Sequence, residues 1–580
     1  MYYLCAVFLQ SKNYVMRNIN QIIKVLKRNW WSISVCLFAI VGVAIAQCGF
    51  EVKENETITS LNKGLSRFYE TFRLFSLNYQ FSPKTINYKP SIEWARWLIF
   101  MSYILLIGKI IFTVLIPKYW MYLQIRFYKN HTVICGLNKV SAELIKKNAN
   151  TKIVVIAKEN NQYTESLNQR NVKLIIGDAT DELILNLSKV KTAKKIYVVT
   201  ENDKKNVDIA QTASLICKKN RKITKPLKCY TLINDPVFKT IIKDVALFKY
   251  TINDEKFFFD GILFNINEAG IKYGIKRNIE KIWAVENGNH PEILIVGLTE
   301  KTRNVILNLA HCTTMDEQQI HFYILENDKN KIENFLKNNE FLNNFVKITF
   351  VDNEKAATDK KYSSILVCLD NHLKSVEYSS NIRYLLGNND TNILTFHEGF
   401  DSLNEVLNVK EQNILPFYER NIFLINTFEE TVNYVLDLDE ECEIEKWAEE
   451  AHNIWREKDK NGNFVKNDEY KKIAEHFKQS NRNQVLDFYI KAYIAFGETF
   501  EVVQKNRVVA YSNEMKNVLG KMEHRRWEIE KYADGWKYGE KRDNDFKIHP
   551  DLQKWENLSE KTKNKDFDAI NLMLKKLQNK

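Results

Sequence analysis

Residues 131–157, HTVICGLNKVSAELIKKNANTKIVVIA, decide the fold of most of this chain. Two apolar runs, TVIC and KIVVIA, flank a stretch whose apolar residues recur at helical spacing. The alternation continues in VKLIIG at 172–177 and KIYVVT at 195–200. Apolar strands that alternate with helices predict a parallel sheet covered by helices on both faces. We therefore predict a Rossmann-like α/β domain, with its connector, over residues 131–289.

A second unit with the same alternation follows at residues 290–420. Its strand-like runs are EILIVG at 292–297, IHFYIL at 320–325, VKITFV at 346–351, SILVCL at 364–369 and NILTFH at 392–397. A repeated architecture of this kind predicts a second Rossmann-like domain directly after the first.

The first loop of each unit departs from the dinucleotide-binding fingerprint. The G-x-G-x-x-G pattern lets the backbone approach a pyrophosphate at a helix N-terminus, but residues 136–141 read GLNKVS and keep only the first glycine. Ala157 stands where an acidic residue would hold a ribose. We therefore predict that these units serve assembly rather than tight binding of NAD or ATP. The residues nearest to such a cofactor would be Gly136, Asn138, Ser141, Asp178 and Glu326.

The first unit carries two further motifs, GDATDE at 177–182 and TENDKKN at 200–206. In this order they resemble the TrkA N-terminal domain, also called RCK, which regulates potassium transport systems. The resemblance covers residues 130–222. It implies that the lobes assemble into a ring beneath a pore, and two lobes per chain imply a homotetramer.

Two apolar stretches, at 31–50 and 97–116, are each about twenty residues long, which is enough to cross a bilayer. Lysine and arginine are concentrated before the first stretch and after the second, whereas the loop between them is less basic and contains several glutamates. This distribution predicts two membrane spans with both termini in the cytoplasm. We expect residues 1–130 to form the membrane region, with the lipid bilayer as a partner.

Gly108 and Lys109 lie inside the second stretch. A lysine at this depth is costly unless it faces an aqueous cavity or reaches the interface. We favour a pore lining, in which the lysines of several chains form a ring that attracts anions. The alternative is that Lys109 snorkels to the cytoplasmic interface. Nothing in the loop between the stretches resembles the T-V-G-Y-G filter of potassium channels.

The C-terminal part, residues 421–580, is charged and has helical periodicity. Its segment 523–577 concentrates aromatic and basic side chains, which suit a flat anionic ligand because rings stack on aromatics and guanidinium groups bind phosphate. The motifs HRRW, GWKYG and HPDL follow one another there. They resemble the RyR domain, the repeat named after ryanodine receptors and also found in bacterial proteins. An earlier H-x-x-W at 452–455 suggests a duplication with a weaker first copy.

The candidate ligand-binding residues of this part are aromatic, histidine, arginine and asparagine side chains. They are His524, Arg525, Trp527, Trp536, Tyr538, Arg542 and His549 in the stronger copy, and His452, Trp455, Asn481 and Arg482 in the weaker copy. For the tryptophans we favour a role in the small core of the domain, because small domains need large apolar residues. The arginines are harder to explain structurally, so they are the better candidates for contact with a ligand.

Catalytic and metal-site patterns are missing from the sequence. No C-x-x-C, H-E-x-x-H, G-x-S-x-G or Walker motif occurs, so we predict neither an enzyme nor a metal protein. The net charge of +12 over 580 residues is a mild bias without a basic arm, which argues against binding of duplex nucleic acid.

Together these features predict two transmembrane helices, two Rossmann-like α/β domains and a mostly helical RyR-like domain. By resemblance, bacterial proteins that join these parts are associated with antiviral defence, and their RyR domains with sensing of nucleotide-derived ligands. We therefore expect a ligand-gated effector or channel of a bacterial inner membrane. The alternative is a potassium channel or transport regulator gated by NAD(H) or ATP through the RCK-like domains. The sequence leaves the ligand and the ion open.

Overall fold

The computed structural model divides the chain into two compact units, Met1–Phe127 and Tyr128–Lys580. It describes residues 32, 34–52, 60–76, 86–111, 116–148, 150–167, 171–220, 226–243, 258–283, 291–313, 319–354, 359–387, 390–398, 407, 417–456, 464, 469–506 and 512–578. The elements of the first unit are α1 (Ser34–Gly49), β1 (Phe50–Val52), α2 (Ser60–Arg73), β2 (Ile86–Tyr88), α3 (Ser91–Ile110) and α4 (Ile116–Arg126). Strands β1 and β2 pair in antiparallel orientation.

Small residues let α1 and α3 pack closely. A Cβ atom at Gly42 would lie 3.0 Å from Ile99 Cγ1, and one at Gly49 would lie 2.6 Å from Ile92 Cγ1. Ala46 lies between these glycines at helical spacing and is fully buried. Small residues at such spacing are typical of helices that associate within membranes, where the backbones must approach each other.

The outer surface of α3 is apolar. Trp94, Trp97 and Ile107 are 71%, 62% and 56% exposed. Among the described residues, α3 is the one helix that is long and apolar enough to cross a membrane, while α1 is apolar but shorter. The structure therefore contains one candidate span, and the prediction of two transmembrane helices is not confirmed. Helix α3 begins at Ser91 rather than at residue 97, and residues 112–115 of the predicted span lie outside the described residues.

Lys109 lies in the last turn of α3, one residue after Gly108. Its Nζ donates a hydrogen bond to Ser32 Oγ, just before the start of α1. The lysine therefore meets the N-terminal end of the first apolar stretch, which is the end predicted to face the cytoplasm. Pore lining by Gly108 and Lys109 stays a prediction.

The second unit contains two six-stranded parallel sheets. The first sheet consists of β3 (Thr132–Cys135), β4 (Ile153–Ala157), β5 (Val172–Ile176), β6 (Lys195–Val198), β7 (Leu227–Leu232) and β8 (Phe259–Phe264). The second consists of β9 (Glu292–Val296), β10 (His321–Leu325), β11 (Lys347–Val351), β12 (Ser364–Val367), β13 (Asn392–His397) and β14 (Ile422–Asn426). Their orders, β5-β4-β3-β6-β7-β8 and β11-β10-β9-β12-β13-β14, are both the Rossmann order. The two predicted Rossmann-like domains are confirmed, and the second extends past its predicted end at residue 420, because β14 is the sixth strand of its sheet.

Helices flank both sheets. Those of the first domain are α5 (Lys139–Lys147), α6 (Glu182–Leu187), α7 (Asp203–Asn220), α8 (Pro236–Ile242), α9 (Ile266–Arg277) and α10 (Ile279–Ile282). Those of the second domain are α11 (Glu300–Leu309), α12 (Lys329–Asn338), α13 (His372–Leu386) and α14 (Thr427–Asp437).

The two Rossmann-like domains meet through α9 and α14. A glycine is needed at this contact, because a Cβ atom at Gly270 would lie 2.4 Å from the backbone oxygen of Thr427. Further along the same helices, Arg277 pairs with Glu430 at 3.1 Å. Close backbone approach and a cross-domain ion pair therefore hold the two domains together.

The C-terminal region is mostly helical, as predicted. Its elements are α15 (Glu443–Trp455), α16 (Glu475–Phe496), α17 (Phe500–Asn506), α18 (Asn513–Ala533), β15 (Lys537–Tyr538), β16 (Ile548–His549) and α19 (Glu560–Gln578). Helix α15 packs against α16, and α18 packs against α19. Each pair is a helical hairpin whose first helix carries an H-x-x-W sequence.

Candidate functional site

A row of neighbouring rings, which we call the aromatic row, runs through the C-terminal hairpin. Its members are, in order, Trp536, His549, Trp527, His524 and Trp555, with ring centroids 6.1, 4.9, 5.6 and 6.0 Å apart. His524 and Trp527 share one face of α18 because they are three positions apart. The connection between α18 and α19 supplies the other three rings. The fold thus brings together four of the predicted ligand-binding residues.

His549 is the uncharged imidazole ring of the aromatic row. Burial, together with the charge of Arg542, lowers the pKa of His549 to about 4. Its Nδ1 accepts a hydrogen bond from the backbone N–H of Asp551 at 3.1 Å. Trp527 and Trp536 stand edge-on to this imidazole, with interplanar angles of 74° and 64°, which is the usual packing of neighbouring aromatic side chains.

The Trp536 end of the aromatic row reaches the protein surface, where Trp536 is half-buried, and it is bordered by cations. Lys531 Nζ lies 4.8 Å from the centroid of the Trp536 ring, which is a cation–π distance. Tyr538 is 54% exposed, and Arg542 on the next turn is exposed too. Arg525, on α18, is half-buried. The open end therefore combines the ring faces and positive charges that the sequence predicted for a ligand site.

The His524 end of the row rests on buried acids. His524 Nδ1 lies 3.3 Å from Asp566 Oδ2, and Nε2 lies 3.8 Å from Glu528 Oε2. Burial alone would lower the pKa of His524, but the hydrogen bond to Asp566 and the charge of Glu528 raise it more. Burial also raises the pKa of Glu528 to about 7 and raises that of Asp566. This cluster therefore holds protons near neutral pH.

Glu528 gives the C-terminal hairpin a measurable pH dependence. Its pKa is higher in the folded state, so its contribution to the free energy of unfolding is present at low pH and is lost as pH rises towards 7. A shift from 4.5 to about 7 corresponds to about 3 kcal/mol. His524, whose pKa is also raised, changes stability in the same direction.

We expect Glu528→Gln to flatten the pH dependence of urea unfolding between about pH 5 and 8 and to raise stability at the upper end. Unfolding followed by tryptophan fluorescence measures both. The exposed Glu540→Gln is the matched control and should keep the wild-type slope. An unchanged slope in Glu528→Gln would show that this carboxyl group does not titrate near neutrality.

The predicted residues of the weaker copy do not join the aromatic row. His452 lies 5.9 Å from the ring of Tyr470, and Trp455 is 39% exposed at the end of α15. Asn481 donates its side-chain N–H to the backbone oxygen of Phe477, one turn back on α16. The structure therefore separates these residues from the four that it groups, and ligand binding by either set stays a prediction.

Arg482 is fully buried instead of facing a ligand surface. Its Nε and Nη2 donate to Glu445 at 2.6 and 2.9 Å, and its Nη1 donates to Glu475. Burial raises the pKa of Glu475 to about 7, because the charge of Arg482 offsets only part of the desolvation. The guanidinium is thus occupied by two carboxylates and joins α15 to α16.

Both Rossmann turns keep the glycine conformation that the first position of the dinucleotide-binding fingerprint requires. Gly136 has φ +107° and Gly297 has φ +88°, a region that favours glycine. In the first turn Asn138 caps α5: its Oδ1 accepts from the backbone N–H of Ser141 at 3.1 Å, and Ser141 Oγ accepts from the backbone N–H of Asn138 at 2.7 Å. Lys139, the first residue of α5, donates to the backbone oxygen of Glu398. This helix N-terminus is capped by its own chain.

Asp178 and Glu326 also cap turns. Asp178 Oδ1 accepts from the backbone N–H and hydroxyl of Thr180, and these bonds lower the pKa of Asp178. Glu326 Oε1 accepts from the backbone N–H groups of Asn327 and Asp328. Contact with a cofactor by these five residues, Gly136, Asn138, Ser141, Asp178 and Glu326, stays a prediction.

Sequence reasoning missed the buried charges of the C-terminal region. Glu523, Asp487 and Lys491 are 1%, 4% and 0% exposed, and Lys491 Nζ lies 2.8 Å from Glu523 Oε2. The spacing of four between Asp487 and Lys491 indicated a helical ion pair, but nothing indicated its burial. Within the described part of the chain, no group of three or more His, Cys, Asp or Glu residues could hold a metal ion.

Comparison with known proteins agrees with this domain organisation. Residues 132–248 match the TrkA-N domain and residues 503–579 match the RyR domain. The chain therefore combines a TrkA-N domain with a RyR domain.

Similarity to individual proteins is partial. A 94-residue stretch is 37% identical to Potassium channel protein 1 of Methanocaldococcus jannaschii, and an 89-residue stretch is 34% identical to an uncharacterized protein of Methanothermus fervidus. These matches cover 16% and 15% of this chain and span only 28% and 14% of the two relatives.

Among solved structures, the GsuK channel bound to NAD is 12% identical, with 72% of this chain and 84% of that chain covered and a TM-score of 0.37. The human SLO3 gating ring is 11% identical, with 53% and 81% covered and a TM-score of 0.34. Likenesses of this size say nothing about function.

Proposed function

We propose that this chain is a ligand-gated effector or channel of a cell membrane. Its RyR domain senses a nucleotide-derived ligand, and its Rossmann-like domains transmit binding to the membrane helices. Assembly into a tetrameric ring and a role in antiviral defence belong to the same proposal. The exposed apolar surface of α3, including Trp94 at 71% exposure, supports a membrane location.

One contact carries the proposal, because it joins the aromatic row to the first Rossmann-like domain. The indole Nε1 of Trp536 donates to Asp534 Oδ2 at 3.2 Å. The other oxygen of Asp534 forms an ion pair with Lys243, directly after α8. A ligand that reorients Trp536 at the open end of the row therefore disturbs the carboxylate of Asp534, which also pairs with Lys243 at the end of α8.

Sensing requires that the ligand bind one arrangement of the domains more tightly than the other, since equal affinity shifts no equilibrium. The Trp536–Asp534–Lys243 connection provides such a difference. The connection forms only when the segment between α18 and α19 packs against the end of α8. A ligand that stacks on Trp536 therefore stabilises or destabilises this packing.

We expect a nucleotide-derived ligand to change ion flux through liposomes that contain the full chain. The panel comprises nucleoside mono- and diphosphates, NAD and cyclic oligonucleotides. Trp536→Ala should abolish the flux response and the binding of the responsible ligand at the aromatic row, because the stacking face is lost. Phe546→Ala removes an aromatic ring that is 77% exposed nearby and should change neither.

Asp534→Asn separates sensing from transmission. We expect it to retain ligand binding but to lose most of the flux response, whereas Asp545→Asn, an exposed acid in the same connection, should respond normally. The proposal fails if no nucleotide changes the flux, or if Trp536→Ala responds as the wild type does.

The similarity to Potassium channel protein 1 favours a second candidate function, a potassium channel or transport regulator controlled by NAD(H) or ATP at the Rossmann turns. The same liposomes distinguish it. Potassium-selective flux that responds to NAD(H), is lost in Gly136→Val and is kept in Trp536→Ala would replace the first proposal.

A further inference from the structure

A cavity of about 960 Å³ lies where the two Rossmann-like domains and the C-terminal helices meet. Its walls come from six helices: α8 and α9 of the first domain, α11 and α12 of the second, and α16 and α18 of the C-terminal region. This volume is at the upper end of the range for small-molecule sites. The aromatic row and the Rossmann turn at Gly136 lie outside its lining, whereas Leu298 and Thr299 of the turn after Gly297 belong to it.

Several cations line this cavity without an ion-pair partner among the described residues, and three of them come from different domains. Lys272 of α9 donates only to the amide oxygen of Asn483, at 2.6 Å, and Arg303 of α11 donates to the amide oxygen of Asn339, at 2.9 Å. Lys531 of α18 contacts the Trp536 ring. In the part of the chain that the structure describes, none of the three forms an ion pair, although Glu268 and Glu530 lie near enough to Lys272 to interact with its charge.

Most carboxylates of the lining are already neutralised by other groups. Glu268 pairs with Lys239, Glu530 with Arg526 at 2.7 Å, and Asp487 with Lys491. Glu475 and Asp534 pair with Arg482 and Lys243 in the same way. The unpaired cations therefore leave the cavity with an excess of positive charge.

These three cations are half-buried, and partial burial of their charge is costly without an anion. Burial lowers the pKa of Lys272, although Glu268 and Glu530 offset part of the effect. Burial lowers the pKa of Lys531 as well. A buried cation is tolerated when an anion with good hydrogen-bond geometry accompanies it, so the electrostatics favour an anionic occupant.

The remaining lining suits a heterocycle or sugar better than a bare anion. Nine asparagines and one glutamine line the cavity, beside apolar walls that include Phe335 and Leu486. The buried Asn267 Oδ1 and His311 Nδ1 have no hydrogen-bond partner in the described chain, and His311 is only 2% exposed. Amide side chains pair with base edges and hydroxyl groups, and buried polar atoms without partners indicate a missing one.

We propose that this cavity binds a nucleoside phosphate, whose phosphate groups meet Lys272, Arg303 and Lys531 and whose base or sugar meets the amides. The site is separate from the aromatic row and from the Rossmann turn at Gly136, and it includes part of the turn after Gly297. A ligand there contacts both Rossmann-like domains and the C-terminal region at once, so it stabilises their packed arrangement.

Calorimetry of the full chain in detergent micelles tests this site independently of any membrane response. The probes are ADP, adenosine and tripolyphosphate. We expect ADP to bind, and adenosine and tripolyphosphate each to bind at least about tenfold more weakly. Adenosine lacks the phosphate groups that the cations bind, and tripolyphosphate lacks the base and sugar that the amides bind.

Lys272→Met and Arg303→Met should each weaken ADP binding by at least about tenfold. Lys272→Arg should restore part of the affinity, which a merely unfolded variant would not show. Lys329→Met, an exposed lysine at the start of α12, is the matched control and should bind as the wild type does.

Three results would overturn the inference. They are no binding of any probe at about 1 mM, ADP binding that Lys272→Met and Arg303→Met leave unchanged, and tripolyphosphate binding as tight as that of ADP. Loss of ADP binding in Trp536→Ala or Gly136→Val, with both cavity variants normal, would assign the nucleotide to the aromatic row or to the Rossmann turn instead.

Discussion

Replacing Arg482 with methionine is expected to lower the free energy of unfolding of the C-terminal region by about 3–5 kcal/mol. Arg482 is fully buried and neutralises both Glu445 and Glu475, which are each 7% exposed. Methionine fills a similar volume, so the main consequence is the loss of charge. Two carboxylates then remain buried without their cation, and removal of one partner costs more than the intact pair contributes.

The penalty of Arg482→Met should depend on pH. Burial already raises the pKa of Glu475 to about 7, and without the arginine the carboxyl group takes up a proton more readily. The loss of stability should therefore be smaller near pH 5 than near pH 8. Urea unfolding of the full chain in micelles, followed by tryptophan fluorescence at both pH values, measures this difference.

Two further variants define the outcome. Arg542→Met removes an exposed arginine from the same region and should change stability by less than about 0.5 kcal/mol. Replacing Arg482, Glu445 and Glu475 together by methionine and leucines should recover most of the loss, because no buried charge remains. A loss below about 1 kcal/mol in Arg482→Met at pH 8 would contradict a structural role for this ion pair.

Arg482 also shows where the sequence stops being informative. Its helical position and its charge were visible, and both fit a ligand-binding arginine as well as a buried one. Its burial depends on Glu445, 37 residues earlier, and no local pattern encodes that contact. By contrast, His524 and Trp527 were placed together correctly because a spacing of three fixes a shared helix face.

The Rossmann-like domains were predictable because local sequence patterns encode them, whereas the interdomain cavity depends on contacts between distant segments. Apolar runs such as IVVIA at 153–157 encode a buried parallel strand locally, so both sheets followed from the sequence. The cavity joins Lys272, Arg303 and Lys531 from three domains, and each alone looks like an ordinary surface charge on a helix. Only the packing of α9, α11 and α18 against one another brings these cations together.

Lys491→Met is expected to destabilise the chain by about 3 kcal/mol, less than Arg482→Met. Lys491 is fully buried and pairs with Asp487 and with Glu523, the latter at 2.8 Å. Burial alone would lower the pKa of Lys491, but these two carboxylates raise it. Each acid keeps another partner, a hydrogen bond with His311 for Asp487 and an ion pair with Arg526 for Glu523, so the variant leaves the acids partly compensated.

The loss should reach the second Rossmann-like domain, because His311 follows α11 and pairs with Asp487 at 2.6 Å. We expect Lys491→Met to speed hydrogen exchange in both α11 and α18, whereas Lys505→Met on the exposed surface of α17 should change neither. In a double-mutant cycle, Lys491→Met and Glu523→Gln together should cost less than the sum of the single changes. Additive costs, or exchange altered in α18 alone, would show that Lys491 does not couple the C-terminal helices to that domain.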